Sequence, residues 1–157
     1  MSTVRKVPLR KCIGCNEMKN KKVIKCFGES LGKTNQRITK DKFYAVIEIS
    51  KGGKNKYELD KETGMLKLDR VLFTSTHYPA NYGFIPRTFA DDGDPLDVLV
   101  LCSETIQPMT LVECKPIGVL NMVDNDSCDE KIIAVPVNDP NYNCYSDISE
   151  LPKHYFE

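Results

Sequence analysis

From Phe43 onward the chain is organised by short apolar runs of β type, separated by glycine, asparagine, aspartate and proline. The runs lie at 44–49, 56–59, 65–73, 98–101, 111–122 and 132–137, and each reads as a strand. Between the second and third, Asp60-Lys61-Glu62-Thr63-Gly64 is a polar link ending in glycine, so residues 59–73 predict an antiparallel hairpin. Several short strands with turn signals between them, and no long helical period, predict a mainly β (α+β) fold built on a small, closed or nearly closed β-barrel. Helix signals come late. Asp147 is an acidic cap candidate ahead of Ile148, and Pro152 opens a second helix that the chain end cuts short.

The first 40 residues have another character. They are lysine-rich, lack apolar periodicity, and carry a Cys-x-x-Cys pair at Cys12 and Cys15. This predicts a division into a poorly ordered basic segment, 1–40, without a core of its own, and one domain, 41–157. At 157 residues, 41% hydrophobic and 28% charged, the composition is that of an ordinary globular protein. There is no apolar run near 18 residues, and no apolar stretch follows the basic start, so neither a membrane span nor a secretory signal is expected and the cytoplasm is the default compartment. Seven cysteines, odd in number and irregularly spaced, argue against a disulfide framework.

The formal net charge of zero hides an asymmetry. Residues 1–40 hold eleven Lys/Arg against two Asp/Glu, whereas the remainder holds eleven against twenty. An acidic body attracts metal cations and repels nucleic acid, while the basic head does the reverse.

Chemistry concentrates in Asp91-Asp92-Gly93-Asp94-Pro95-Leu96-Asp97, four carboxylates that repel one another unless a cation lies between them. A solvated acidic turn is the plain alternative, and the spacing is not that of an EF-hand. A second cluster, Asp124-Asn125-Asp126-Ser127-Cys128-Asp129, also ends a strand-like run, with Lys131 just beyond. Carboxylates at strand ends can converge on one mouth of a barrel. Oxygen-only ligands suit Mg²⁺ or Mn²⁺ rather than zinc, and His77 and His154 are the only histidines. Lys56, Arg70, Lys131, Tyr78 and Tyr82 add the cations and phenols that a small, multiply charged phosphate needs. Taken singly, each has a structural alternative in the core or on a solvated face.

In order along the chain, Val46-Ile47-Glu48-Ile49, Lys56-Tyr57-Glu58-Leu59-Asp60-Lys61-Glu62-Thr63-Gly64, Leu68-Asp69-Arg70, Tyr78-Pro79-Ala80-Asn81-Tyr82-Gly83, Asp92-Gly93-Asp94-Pro95-Leu96-Asp97 and Val119 to Asp124, followed by Asp129 and Lys131, closely resemble soluble family I inorganic pyrophosphatases of the bacterial type. The resemblance implies a five-stranded OB-like barrel with flanking helices, a homo-oligomer, and Mg²⁺-dependent hydrolysis of pyrophosphate, with Mn²⁺ as a substitute. It implies Asp92, Asp97, Asp124 and Asp129 as metal ligands with Glu48 facing them, and Asp94 as general base. Lys56, Arg70, Tyr82 and Lys131 would hold phosphate, supported by Glu58 and Tyr78.

Two departures accompany the likeness. The family pattern continues into a longer C-terminal helix bearing a Tyr-Lys pair, whereas this chain ends at Glu157, so a shortened, weakened enzyme is one expectation. The first 25 residues resemble instead the opening of the YlxR-like family of presumed RNA binders. A competing reading is therefore an impaired pyrophosphatase-like barrel, binding metal and phosphate, with a basic RNA-binding tail. Cys12, Cys15 and Cys26 lack the fourth partner of a zinc site. A metal-stabilised protein without a substrate is disfavoured by the cations and tyrosines that accompany the acids.

Overall fold

The computed structural model describes residues 3–5, 41–88, 94–124 and 127–156. Among these lie strands β1 (Thr3–Arg5), β2 (Phe43–Ile49), β3 (Asn55–Leu59), β4 (Leu66–Val71), β5 (Asn81–Ile85), β6 (Leu96–Val100), β7 (Leu111–Asp124) and β8 (Ser127–Pro136). Strands β7, β2, β5, β6 and β8 pair in that order, and β8 pairs back onto β7, so five strands close into the expected OB-like barrel. All contacts in it are antiparallel except β6 with β8. β3 and β4 form the expected hairpin about the predicted link, but it spans residues 55–71, not 59–73. Its link is closed by the Asp60 carboxylate, which accepts from Thr63 Oγ1 at 2.6 Å, and by Gly64, whose φ of 73° suits the absence of a side chain.

Alternation along the strands fills the barrel. Phe43, Ala45 and Ile47 of β2, Leu96, Val98 and Val100 of β6, and Ile132 and Ala134 of β8 meet in one buried cluster with Ile85, Cys114 and Val119. The opposite faces carry two smaller clusters. Val46, Phe84 and Leu59 join the hairpin to the wall of the barrel. Ile133 and Val135 pack with Ile117, Ile148 and Leu151, which seats the C-terminal segment.

Three further features differ from the sequence reading. The late helices are single 3-10 turns, Ile148–Glu150 and Lys153–Phe156. Asp147 does cap the first, accepting from the Ser149 amide at 3.0 Å. Pro152 holds Leu151 extended at ψ 146°, which stops that turn from propagating. Within the basic head, Thr3–Arg5 is a strand, paired with β7 from Thr3 opposite Asn121 to Arg5 opposite Val119. The rest of that head, with Cys12, Cys15 and Cys26, lies outside the described residues. The third difference is β5, the strand between β2 and β6, which polar Asn81 and the glycine at 83 disguise as loop.

Gly83 faces Ile47 across the β2–β5 pair, and a Cβ there would stand 1.8 Å from the Val46 carbonyl oxygen. The glycine is required by the close approach of two backbones, not by a turn. Gly83→Ala is expected to destabilise the protein by more than about 4 kcal/mol, in the range left by forced backbone displacement. Urea unfolding followed by circular dichroism measures this, and a loss under about 1 kcal/mol would contradict the required approach.

Candidate active site

Residues interleaved with the barrel's interior set point to its outer wall. On neighbouring strands these are Glu48 of β2, Tyr82 of β5, Asp97 of β6 and Lys131 of β8. A bulge between Ile47 and Ile49 flanks Glu48, and parallel register sets Asp97 opposite Lys131. The acids therefore gather on the outer wall, roofed on one side by the β3–β4 hairpin, and not at a mouth of the barrel.

Lys131 is the hub. Its Nζ donates to Asp97 Oδ2 at 2.7 Å and to the Tyr82 hydroxyl at 3.3 Å, and lies 3.0 Å from Asp129 Oδ2. It also stands 5.3 Å from the Tyr82 ring centroid. Its side chain is 15% exposed, against about a third for each aspartate. Burial alone would lower the lysine's pKa, but the two carboxylates outweigh it and hold the pKa above its usual value. Burial, then the charge and hydrogen bond of Asp97, push the Tyr82 phenol far upward, so it stays a neutral donor.

Glu48 is mostly buried beside this hub. Its Oε1 accepts from the Leu59 amide at 2.8 Å, which ties β2 to the hairpin. Desolvation nevertheless raises its pKa to about 7; the Leu59 bond and Lys56 oppose this, while Asp97 and Glu58 reinforce it. From the hairpin, Lys56 Nζ reaches Glu58 Oε1 at 2.8 Å and Asp69 Oδ2 at 3.3 Å, and its pKa rises chiefly through the Glu58 bond. Arg70 sits opposite Lys56 in register, but its side chain is 68% exposed and outside the cavity. Tyr78 packs its ring 5.3 Å from that of Tyr82. Burial raises its phenol pKa, and the charges of Lys56, Arg70 and Lys131 pull it back.

A cavity of about 270 Å³ opens over these groups. Among the described residues, six acidic side chains line it, those of Glu48, Glu58, Asp94, Asp97, Asp129 and Glu130, against Lys56 and Lys61. Asp94 stands at its edge with Oδ1 3.1 Å from Lys61 Nζ. Of the sequence-derived set, Glu48, Lys56, Glu58, Tyr82, Asp94, Asp97 and Asp129 line the cavity, and Lys131 and Tyr78 adjoin it through Tyr82. Asp92 and the Asp124 carboxylate lie outside what is described. Lys61, Tyr57 and Glu130 also line it and were missed, since a lysine in a polar turn and an acid in an acidic run carry no distinguishing signal.

Among the described residues no three His, Cys, Asp or Glu side chains already converge as a metal cage. The donor set still fits a hard divalent cation. Two aspartates share one cationic point, a third carboxyl nearby has its pKa raised to about 7, first by burial and then by the charges of Asp97 and Glu58, and every donor is oxygen.

The family profile "Inorganic pyrophosphatase" matches residues 45–157. Soluble inorganic pyrophosphatase 2 of Chlamydomonas reinhardtii is 55% identical over 109 residues, 69% of this chain and 57% of its own length. Soluble inorganic pyrophosphatase PPA1 of Solanum tuberosum is 54% identical over 112 residues, 71% of this chain and 53% of its own. The chain thus spans little more than half the length of these curated relatives. Among solved structures, the inorganic pyrophosphatase of Helicobacter pylori aligns with a TM-score of 0.71 and 49% identity, covering 74% of this chain and 69% of that one. That of Thermus thermophilus gives 0.74 and 38%, covering 85% and 73%. The relatives are algal and plant as well as bacterial. The match begins at residue 45 and lends no support to the YlxR-like reading of the first 25 residues. By profile, relatives and fold together, the chain belongs to the inorganic pyrophosphatase family.

Proposed function

We propose that this chain hydrolyses inorganic pyrophosphate to two orthophosphates, with Mg²⁺ as cofactor and Mn²⁺ as a substitute. The observation that carries the reading is the cluster on the outer wall, in which Lys131, held by Asp97, Asp129 and Tyr82, borders a cavity of six carboxylates. So much negative charge would repel a naked anion, which makes sense for a substrate that arrives with cations between it and the protein.

Asp97 and Asp129, with Asp92 and Asp124, would hold the metal, with Glu48 facing them. When bound, the metal neutralises phosphate charge and lowers the pKa of a water. Asp94, at the cavity edge, would take that water's proton as general base. Lys131 and Lys56 would offer point charges to the phosphates, and Tyr82 a neutral donor where negative charge develops. Arg70, exposed on the hairpin opposite Lys56, would close on a phosphate from the solvent side. Glu58 holds Lys56, and Tyr78 backs Tyr82 through its ring.

We read residues from 41 onward as one catalytic domain and residues 1–40 as a basic appendage. We place the protein in the cytoplasm, the compartment favoured by seven cysteines that are odd in number and irregularly spaced. The exposed side chains of Leu68, Val71 and Phe73 support assembly into a homo-oligomer through the hairpin.

Purified chain is expected to release phosphate from pyrophosphate with Mg²⁺ and to stop in EDTA; release unaffected by EDTA would remove the metal from the reading. Asp94→Asn should keep Mg²⁺ binding by calorimetry while turnover falls by roughly 10²–10⁴-fold, the range for a lost general base. Near-normal turnover in that variant would take Asp94 out of the role.

Glu48 generates a pH prediction. Its pKa is raised in the folded state, so its contribution to stability is complete below its ordinary 4.5 and is lost as pH rises through about 7. In EDTA, Glu48→Gln should therefore be more stable than wild type at pH 8, by on the order of 1–3 kcal/mol, with the gap closing toward pH 4.5. Equal stabilities at pH 8 would show that the carboxylate is not penalised.

A further inference from the structure

We propose that Asn81 is a positioning residue: its amide ties two loops to the start of β5 and so sets where the Tyr78 and Tyr82 phenols stand beside the site. The inference rests on the pyrophosphatase reading for its activity readouts, although its geometric part does not.

Asn81 is completely buried, at 0% exposure, in a barrel otherwise filled by apolar side chains. Its three side-chain hydrogen bonds are all made to the backbones of loops. Oδ1 accepts from the Lys51 amide at 3.0 Å and from the Ile106 amide at 2.9 Å, while Nδ2 donates to the Glu104 carbonyl at 3.2 Å. The Ser50 hydroxyl, donating to the Ile106 carbonyl at 2.6 Å, links the same two loops a second time.

The turn thus gripped holds Tyr78. The Gly52 amide donates to the Tyr78 carbonyl at 2.8 Å, and the Tyr78 amide donates to the Gly53 carbonyl at 3.1 Å. A closed path therefore runs from Asn81 through Lys51 to Gly52 and Gly53, across to Tyr78, and back along the chain to Asn81. Tyr82 is the next residue, and its hydroxyl meets Lys131 and Asp97. Asn81 thereby fixes both ends of the segment whose rings face each other at 5.3 Å.

The chemistry of the position demands an amide. Two N–H groups require an acceptor and one carbonyl requires a donor; leucine supplies neither, and an ionised aspartate would set a carboxylate against the Glu104 carbonyl. A buried asparagine serving only stability would anchor loops unconnected to the site. Here one anchored loop carries a site tyrosine, and the other tyrosine adjoins the anchor itself.

The test compares Asn81→Ala in the wild-type background and in a Tyr78→Phe, Tyr82→Phe background, with kcat and KM measured separately. Asn81→Asp, which keeps both accepted bonds, is the second variant should the first fail to fold. In the wild-type background Asn81→Ala is expected to lower kcat/KM by roughly 10- to 100-fold, the scale of a displacement near one ångström. In the double-Phe background the same change should cost less than about threefold, because the groups it positions are already gone. Asn81→Asp should fall between wild type and Asn81→Ala. A loss of equal size in both backgrounds would overturn the proposal, since a general structural role adds independently of the phenols.

An activity-free arm follows the nuclear Overhauser contact between the Tyr78 and Tyr82 rings, expected in wild type and weakened in either Asn81 variant. An unchanged ring contact in a folded variant would overturn the proposal. If wild type released no phosphate at all, the functional reading would fail, and this arm would still decide the role of Asn81.

Discussion

Parallel pairing of β6 with β8 sets Asp97 beside Lys131, and the ion pair that results is the point on which the site turns. The lysine is mostly buried, so its charge is tolerable only because Asp97 and Asp129 compensate it. The same ammonium holds Tyr82 on its other side. Neither aspartate could stand next to the other and next to Glu48 without a cation among them. Strand order, outer-wall alternation and the bulge beside Glu48 all serve to bring these groups to one place.

The site is built with more negative charge than the protein neutralises by itself. Lys131 and Lys56 are each committed to two carboxylates, and the pKa of Glu48, raised chiefly by burial, is raised further by the charges of Asp97 and Glu58. A deficit of that kind is what oxygen-liganded divalent cations relieve, and it explains how an acidic wall can serve a polyanionic substrate. The hairpin contributes from the other side. Leu59 is both a buried anchor and the amide donor to Glu48, so hairpin docking and site electrostatics are coupled.

Much of this was legible in the residues. The apolar runs located the barrel, the polar link the hairpin, and the acidic strings Asp94, Asp97 and Asp129 of the cavity, while Glu48 and Glu58 followed from the family resemblance. What could not be read were contacts that depend on backbones meeting. Gly83 looks like a break in a loop, yet it is the centre of a barrel strand because β2 passes too close for any side chain. Asn81 looks like a turn residue and is wholly buried, since its hydrogen bonds are made to loops distant in sequence. Lys61 is indistinguishable from a solvated lysine until the hairpin folds over Asp94. The late helix signals were correctly placed, but Pro152 confines the first to one turn.

The account depends on the carboxylates of β6 and β8 forming one cation site in which Lys131 supplies part of the charge. Thermal unfolding of Lys131→Met, in EDTA and in Mg²⁺, tests this most directly. With the ammonium gone, the variant is expected to melt well below wild type in EDTA and to gain more from Mg²⁺ than wild type does, because the metal then supplies all the positive charge. A variant that melts like wild type in EDTA and is unmoved by Mg²⁺ would contradict the shared site.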